Sequence, residues 1–173
     1  MQRLLPTHSM PDIDVPLAGG GRWRLADNAP DFMLMIDIFR GVHCPRCRRH
    51  LEEMSARHEE FSEAGLDMIA MSADPAERAE QSRSEWDMPN VPLGYGLPIE
   101  MARQLGLYIS QNYASHESEI FAEPGVFFVM PDLTLYGAVI NTFPFARPRI
   151  DDLLEIARIV KERNYPPRGT LAS

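Results

Sequence analysis

Residues 32–39, FMLMIDIF, are apolar at every position except Asp37, and five residues later the spacing of the apolar side chains changes. From Cys44 onward, Cys47, Leu51, Met54, His58 and Phe61 step by four and three, the period of one helix face, and Gly65 closes the run. A strand with apolar side chains on both faces must be covered on both, which is the condition of an inner strand in a layered α/β sheet. LDMIAMSA (66–73) then returns to strand character, so strand, helix and strand follow one another as in a parallel crossover unit.

The rest of the chain extends this pattern. The first 30 residues are rich in Pro and Gly, and GGGRWRLAD reads as a hairpin or edge strand. Asp74-Pro75-Ala76-Glu77 is a helix start, with Asp74 as N-cap, and the helix runs to about Trp86. VPLGYGLP reads as a short strand and turn, and a helix from about Ile99 to Leu105 is closed by Gly106. Residues 110–123 are polar and irregular, a loop. VFFVM (126–130) and LTLYGAVIN (133–141), separated by Pro131-Asp132, form an antiparallel hairpin. Ile150, Leu153, Leu154, Ala157 and Val160 make a last helical stripe, with Asp151 and Asp152 in its first turn and Pro166-Pro167 as its stop. The expectation is a mixed, three-layer α/β fold in a single domain over 1–173, with an N-terminal extension at 1–20 and a tail at 166–173.

Composition narrows the function classes. A net charge of −8 argues against nucleic acid or an anionic membrane as partner, and no apolar stretch reaches transmembrane length. The start, MQRLLPTHSMPDIDVP, lacks the apolar core of a signal peptide, so a soluble, cytoplasmic protein is expected. Two cysteines do not make a secreted disulfide framework, and a lone C-x-x-C in a cytoplasmic chain points to redox or metal chemistry.

Those cysteines, Cys44 and Cys47, lie in RGVHCPRCRRH (40–50) at the predicted strand-to-helix junction. There Cys44 is the N-cap, Pro45 sits at N1, where its missing N–H costs nothing, and Cys47 is N3. A Cys44 thiolate would receive the Cys47 amide, the positive helix end and the field of Arg46, Arg48 and Arg49, all of which lower its pKa. Cys47, one turn deeper on the apolar face, would be the less exposed partner. Three readings compete: a redox pair, two metal ligands with His43 and His50 as local candidates, and two small core residues. The junction and the proline favour the redox pair. His43 diverges from Cys44 and His50 lies well round the helix, which weakens the metal reading. Asp37 is a candidate proton acceptor for the inner cysteine or an exposed rim residue, and His43 a candidate tuner of the thiolate. His58, Trp23 and Trp86 read as boundary or packing residues; Arg147 in PFARP could reach the site and bind an anionic group, but a solvated surface arginine is the favoured reading.

Strand, RG-x-H-CP-x-C, amphipathic helix, strand and the EPGVFFVMPD–LTLY hairpin together resemble the thioredoxin superfamily, and within it the peroxiredoxin-like branch of the AhpC/TSA (alkyl hydroperoxide reductase and thiol-specific antioxidant) family, over about residues 20–165. The resemblance implies a thioredoxin-like three-layer α/β/α sandwich with a mixed central sheet, and places Pro124, just before VFFVM, where such folds carry a cis-proline facing the redox pair. Where peroxiredoxins carry Pro and Thr or Ser, seven and three residues before the reactive cysteine, this chain has Asp37 and Gly41. The family's active-site arginine has no assigned counterpart. The expected function is a thiol-dependent oxidoreductase in which Cys44 attacks a peroxide or a protein or small-molecule disulfide and Cys47 resolves the intermediate. It needs no bound cofactor, only an external thiol of thioredoxin or glutathione type, and a homodimer is compatible with it. The alternative is a non-catalytic interaction module or redox sensor.

Overall fold

The computed structural model describes residues 4–171; the first three residues of the expected N-terminal extension and the last two of the tail lie outside the described residues. In chain order the elements are β1 (Asp14–Pro16), β2 (Arg22–Arg24), β3 (Met33–Ile38), α1 (Pro45–Ala56), α2 (His58–Glu63), β4 (Leu66–Met71), α3 (Ala76–Glu85), β5 (Leu93–Gly94), α4 (Ile99–Gln104), β6 (Ile109–Gln111), β7 (Ile120–Ala122), β8 (Gly125–Val129), β9 (Leu135–Ile140) and α5 (Ile150–Arg163).

The central sheet has the order β5-β4-β3-β8-β9. β3 and β4 pair in parallel, as do β4 and β5, while β8 runs antiparallel to both β3 and β9. All six residues of β3 are buried, as its apolar run demands. Its side chains alternate between two cores. Met33 and Met35 join Cys47, Leu51 and Met54 of α1, Phe61 of α2 and Leu153, Leu154 and Ala157 of α5. Leu34, Ile36 and Ile38 face Ile13, Val15 and Trp23 of the β1–β2 hairpin region and Ala102 of α4. The α5 stripe shows why the layer holds: Leu153 and Leu154 are fully buried, worth about 1.5–3 kcal/mol apiece. The same alternation places Asp37 on the α1 side of the sheet.

Four local expectations are corrected. The helix after Cys44 is two helices, broken at Arg57, where φ −107° and ψ 19° leave the helical region. The Arg57 guanidinium ties this break to Glu60 at 2.7 Å and to Asp151 of α5 at 2.8 Å. Asp74 does not cap α3, whose N-cap is Pro75; its carboxylate is drawn instead to partners brought by other loops. The segment read as a loop at 110–123 is instead part of a β6–β7 hairpin, whose three-residue strands are too short to show an alternation. α5 ends at Asn164, in the left-handed region (φ 47°), before either proline.

Among the described residues no helix is long and apolar enough to cross a membrane.

Candidate active site

The end of β3 and the start of α1 deliver the cysteine pair as their local sequence dictates. Cys44 is the N-cap of α1 in an extended conformation, Pro45 occupies the first helical position, and the Cys47 N–H donates to Cys44 Sγ at 3.2 Å. Both cysteines are free thiols. The expected difference in exposure is absent: Cys44 is 2% and Cys47 1% exposed, because the β9–α5 loop covers them.

That loop supplies Arg147. Its Nη2 donates to Cys47 Sγ at 3.0 Å and to Cys44 Sγ at 3.7 Å. The residue read as a solvated surface arginine is thus half-buried over both sulfurs. Its backbone is set by the proline-flanked segment entering α5, and its own guanidinium also donates to the carbonyls of Pro144 and Ala146. Burial works against its charge, but the Cys47 and Cys44 sulfurs and the Asp37 carboxylate outweigh burial and hold its pKa above the ordinary value.

The two sulfurs respond in opposite directions. The Cys44 pKa falls from 9.0 to about 6, first through the hydrogen bond from the Cys47 thiol, against opposition from burial, and then through the Cys47 amide, Arg147 and Arg40. Cys47 is pushed well above 9.0, by burial first and then by its bond to Cys44. One proton therefore leaves the pair readily, and the charge settles on Cys44, which collects three donors. The cations responsible are Arg147 and Arg40. Arg46 is exposed, and Arg48 is turned to Glu52 at 2.8 Å and to the Glu85 carbonyl.

The other candidates spread around this centre. Asp37 is buried rather than on a rim, and its Oδ2 lies 3.1 Å from His50 Nε2, so the histidine considered as a metal ligand is held by a carboxylate on the sheet. Among the described residues no group of three His, Cys, Asp or Glu side chains is arranged to hold a metal ion. His43 packs edge-on against Phe121, with ring centroids 4.8 Å apart, and its pKa is lowered to about 4 by burial and then by Arg40. It is therefore neutral at pH 7 and adds no positive charge to the site. The expectation of a cis bond at Pro124 is corrected, since no cis peptide bond occurs among the described residues. The trans form suits a chain that runs extended from β7 into β8, anchored by the Glu123 N–H on the Tyr108 carbonyl and by the Pro124 carbonyl accepting from Asn141.

Asp74 is the second residue that sequence reasoning misplaced. It is 1% exposed and its carboxylate accepts from the Val42 N–H at 2.7 Å and the Ser118 hydroxyl at 2.7 Å, with Arg78 Nε at 3.2 Å. It thereby pins the turn that leads into Cys44. The same turn forces Gly41 to φ +134°, and a Cβ there would sit 2.7 Å from both Asp74 carboxylate oxygens. A hydroxyl-bearing residue at 41, as the peroxiredoxin resemblance would have it, has no room. Gly41→Thr is expected to lose about 3 kcal/mol of stability or more, read by urea unfolding. An unchanged midpoint would show that the turn relaxes without cost.

The AhpC/TSA family profile matches residues 6–137. Among solved structures, a cysteine-to-serine mutant of peroxiredoxin 6 from Arenicola marina superposes with a TM-score of 0.76 at 16% identity, covering 93% of this chain and 75% of that one. Peroxidoxin BcpB from Mycobacterium tuberculosis gives 0.74 at 16% identity, covering 91% and 99%. The reduced 2-Cys peroxiredoxin of Plasmodium vivax gives 0.78 at 7% identity, covering 95% and 84%. At these identities the structures share the fold, a peroxiredoxin-like thioredoxin fold. No curated protein sequence matches significantly.

Proposed function

Because the chain belongs to the AhpC/TSA family, we propose that it is a thiol-dependent oxidoreductase whose nucleophile is Cys44 and whose resolving residue is Cys47. The observation that carries this reading is the Cys44 sulfur itself, an N-cap thiol with a pKa of about 6 whose neighbour one turn on is a second, protonated thiol.

The chemistry follows from that asymmetry. A Cys44 thiolate attacks the outer oxygen of a peroxide; the O–O bond breaks, sulfur is oxidised to sulfenic acid, and the departing alkoxide takes a proton. Cys47 then attacks the sulfenic sulfur, the hydroxyl leaves as water, and the Cys44–Cys47 disulfide closes. With a disulfide substrate the first step gives a mixed disulfide, which Cys47 resolves to the same product. Two external thiols restore the dithiol. Arg147 holds the negative charge in each state, since it reaches both sulfurs. Pro45 supports the site by fixing the first turn of α1 without an unused N–H. Asp37, beneath α1 and bridged to His50, supports the site through its charge, which helps hold the Arg147 guanidinium protonated beside the sulfurs. Pro124 carries no step.

Turnover of hydrogen peroxide and of a small aromatic disulfide, measured side by side with excess dithiothreitol, tests the reading. Many cycles per protein are expected with at least one substrate. Oxidation that stops after one equivalent would mark a redox sensor or interaction module and remove the enzyme.

A further inference from the structure

A cleft of about 290 Å³ opens between the first turns of α1 and the loop entering α5. Its size is just below the range of small-molecule sites, roughly 300 to 1,000 Å³. Four arginines, Arg46, Arg49, Arg147 and Arg149, line it against two carboxylates, Glu53 and Asp151. That balance is the reverse of the chain's net charge of −8.

The Asp151 carboxylate is already engaged. Asp151 is held by Arg57 at 2.8 Å and by Arg149 at 3.1 Å, and Glu53 lies 4.0 Å from Arg57. Arg46 and Arg49 are exposed and make no ion pair among the described residues. The start of α5 borders the same cleft, and its N-cap, Arg149, offers its first amides no side-chain acceptor, so the positive end of a 14-residue helix adds to the field. The innermost arginine, Arg147, touches both sulfurs. A site for a small anion therefore ends at the arginine that covers the reacting atoms.

We propose that this cleft binds the carboxylates of an anionic low-molecular-mass thiol, the reductant that reopens the Cys44–Cys47 disulfide. The proposal rests on the redox reading above and names its co-substrate. The bound thiolate attacks Cys44 Sγ; the Cys44–Cys47 bond breaks and its electron pair leaves on Cys47, beside Arg147. A second thiolate attacks the small-molecule sulfur of the mixed disulfide and releases the Cys44 thiolate. Two thiols are oxidised to one disulfide, the protein disulfide is reduced to a dithiol, and of the two protons set free one goes to Cys47 and one to solvent. Arg46 and Arg49, free of internal partners, can be spent on the ligand without breaking a contact.

The test uses the preformed disulfide, so that no peroxide or substrate step enters. Its reduction is followed by stopped flow with mercaptosuccinate, 2-mercaptoethanol and cysteamine, anionic, neutral and cationic thiols, with rates expressed per thiolate. The anionic thiol is expected to react about tenfold faster than the neutral one, the cationic thiol slowest, and the advantage to shrink with added salt. In the double variant R46E/R49E the anionic-to-neutral ratio should fall to one or below. Equal rates for the three thiols, or an unchanged ratio in the double variant, would overturn the proposal. So would a charge preference that appears only in the oxidation step, with a carboxylate-bearing hydroperoxide. A protein that forms no Cys44–Cys47 disulfide with any oxidant would instead remove the redox reading beneath it, a result distinct from all of these.

Discussion

Cys44→Ser is expected to lower thiol-dependent turnover by about three orders of magnitude or more, because it removes the nucleophile. A serine hydroxyl at the same N-cap keeps the helix start and can accept the Cys47 N–H, so the fold survives and the loss is chemical. Cys47→Ser should behave differently. It retains the amide donor and Arg147 at Cys44, so one equivalent of peroxide still oxidises Cys44, but the sulfenic acid has no internal thiol to resolve it. Trapping with dimedone and mass mapping separates the two variants: a Cys44 adduct in Cys47→Ser, none in Cys44→Ser. An adduct on Cys47 in the Cys44→Ser protein, formed as fast as that on Cys44, would reverse the assignment of roles. Arg147 makes that a real test, because it lies closer to Cys47 than to Cys44.

The second large effect is on stability against pH. Cys44 has a folded pKa of about 6 against an ordinary 9.0. Between those values the unfolded chain binds more protons than the folded one, so the stability of the reduced protein rises with pH from about 6 to 9 and is lost as pH falls through 6. The difference corresponds to about 4 kcal/mol when fully expressed near pH 9 and about 1.4 kcal/mol at pH 7. Cys47 acts in the opposite sense. Burial holds its folded pKa above 9.0, so at still higher pH the unfolded Cys47 ionises while the folded one resists, and the gain turns over. The reference should be the variant with both cysteines replaced by serine, since in Cys44→Ser alone Arg147 could stabilise a Cys47 thiolate instead. His43 contributes its own rise between about pH 4 and 6.5, but it does so in both proteins and cancels. Urea unfolding from pH 5 to 9 should show the reduced wild type gaining on the double serine variant above pH 6. Parallel curves would mean an ordinary thiol at Cys44.

What could be read from the chain itself is what depends on neighbours in sequence. The run FMLMIDIF implies a strand buried on both faces, and β3 is one. The four-and-three spacing after Cys44 implies an amphipathic helix, and Cys-Pro at its start sets an N-cap followed by a proline at N1, so the bond from the Cys47 amide to the Cys44 sulfur follows from local geometry alone. Proline-aspartate between two apolar runs implies the β8–β9 hairpin, and the family follows from the same motifs.

What the tertiary structure decided is which charged groups meet the sulfur and how deeply it lies. Arg46, Arg48 and Arg49 adjoin the cysteines in sequence, yet the helix fans such residues outward to solvent, whereas Arg147, about a hundred residues away, is folded onto the pair by the loop into α5. Asp74 looks like a helix cap from its Pro-Ala-Glu context, but burial leaves its carboxylate in need of several donors, and the Val42 amide and Ser118 hydroxyl supply them from distant loops. Gly41 shows the two levels meeting: a glycine three residues before Cys44 is visible in the sequence, while its necessity comes from the positive φ and from the Asp74 carboxylate that would touch any side chain there. Hydrophobic periodicity repeats along the chain and can be counted. A charge acts through space over a few ångströms, so only the fold determines which charges lie within reach of Cys44.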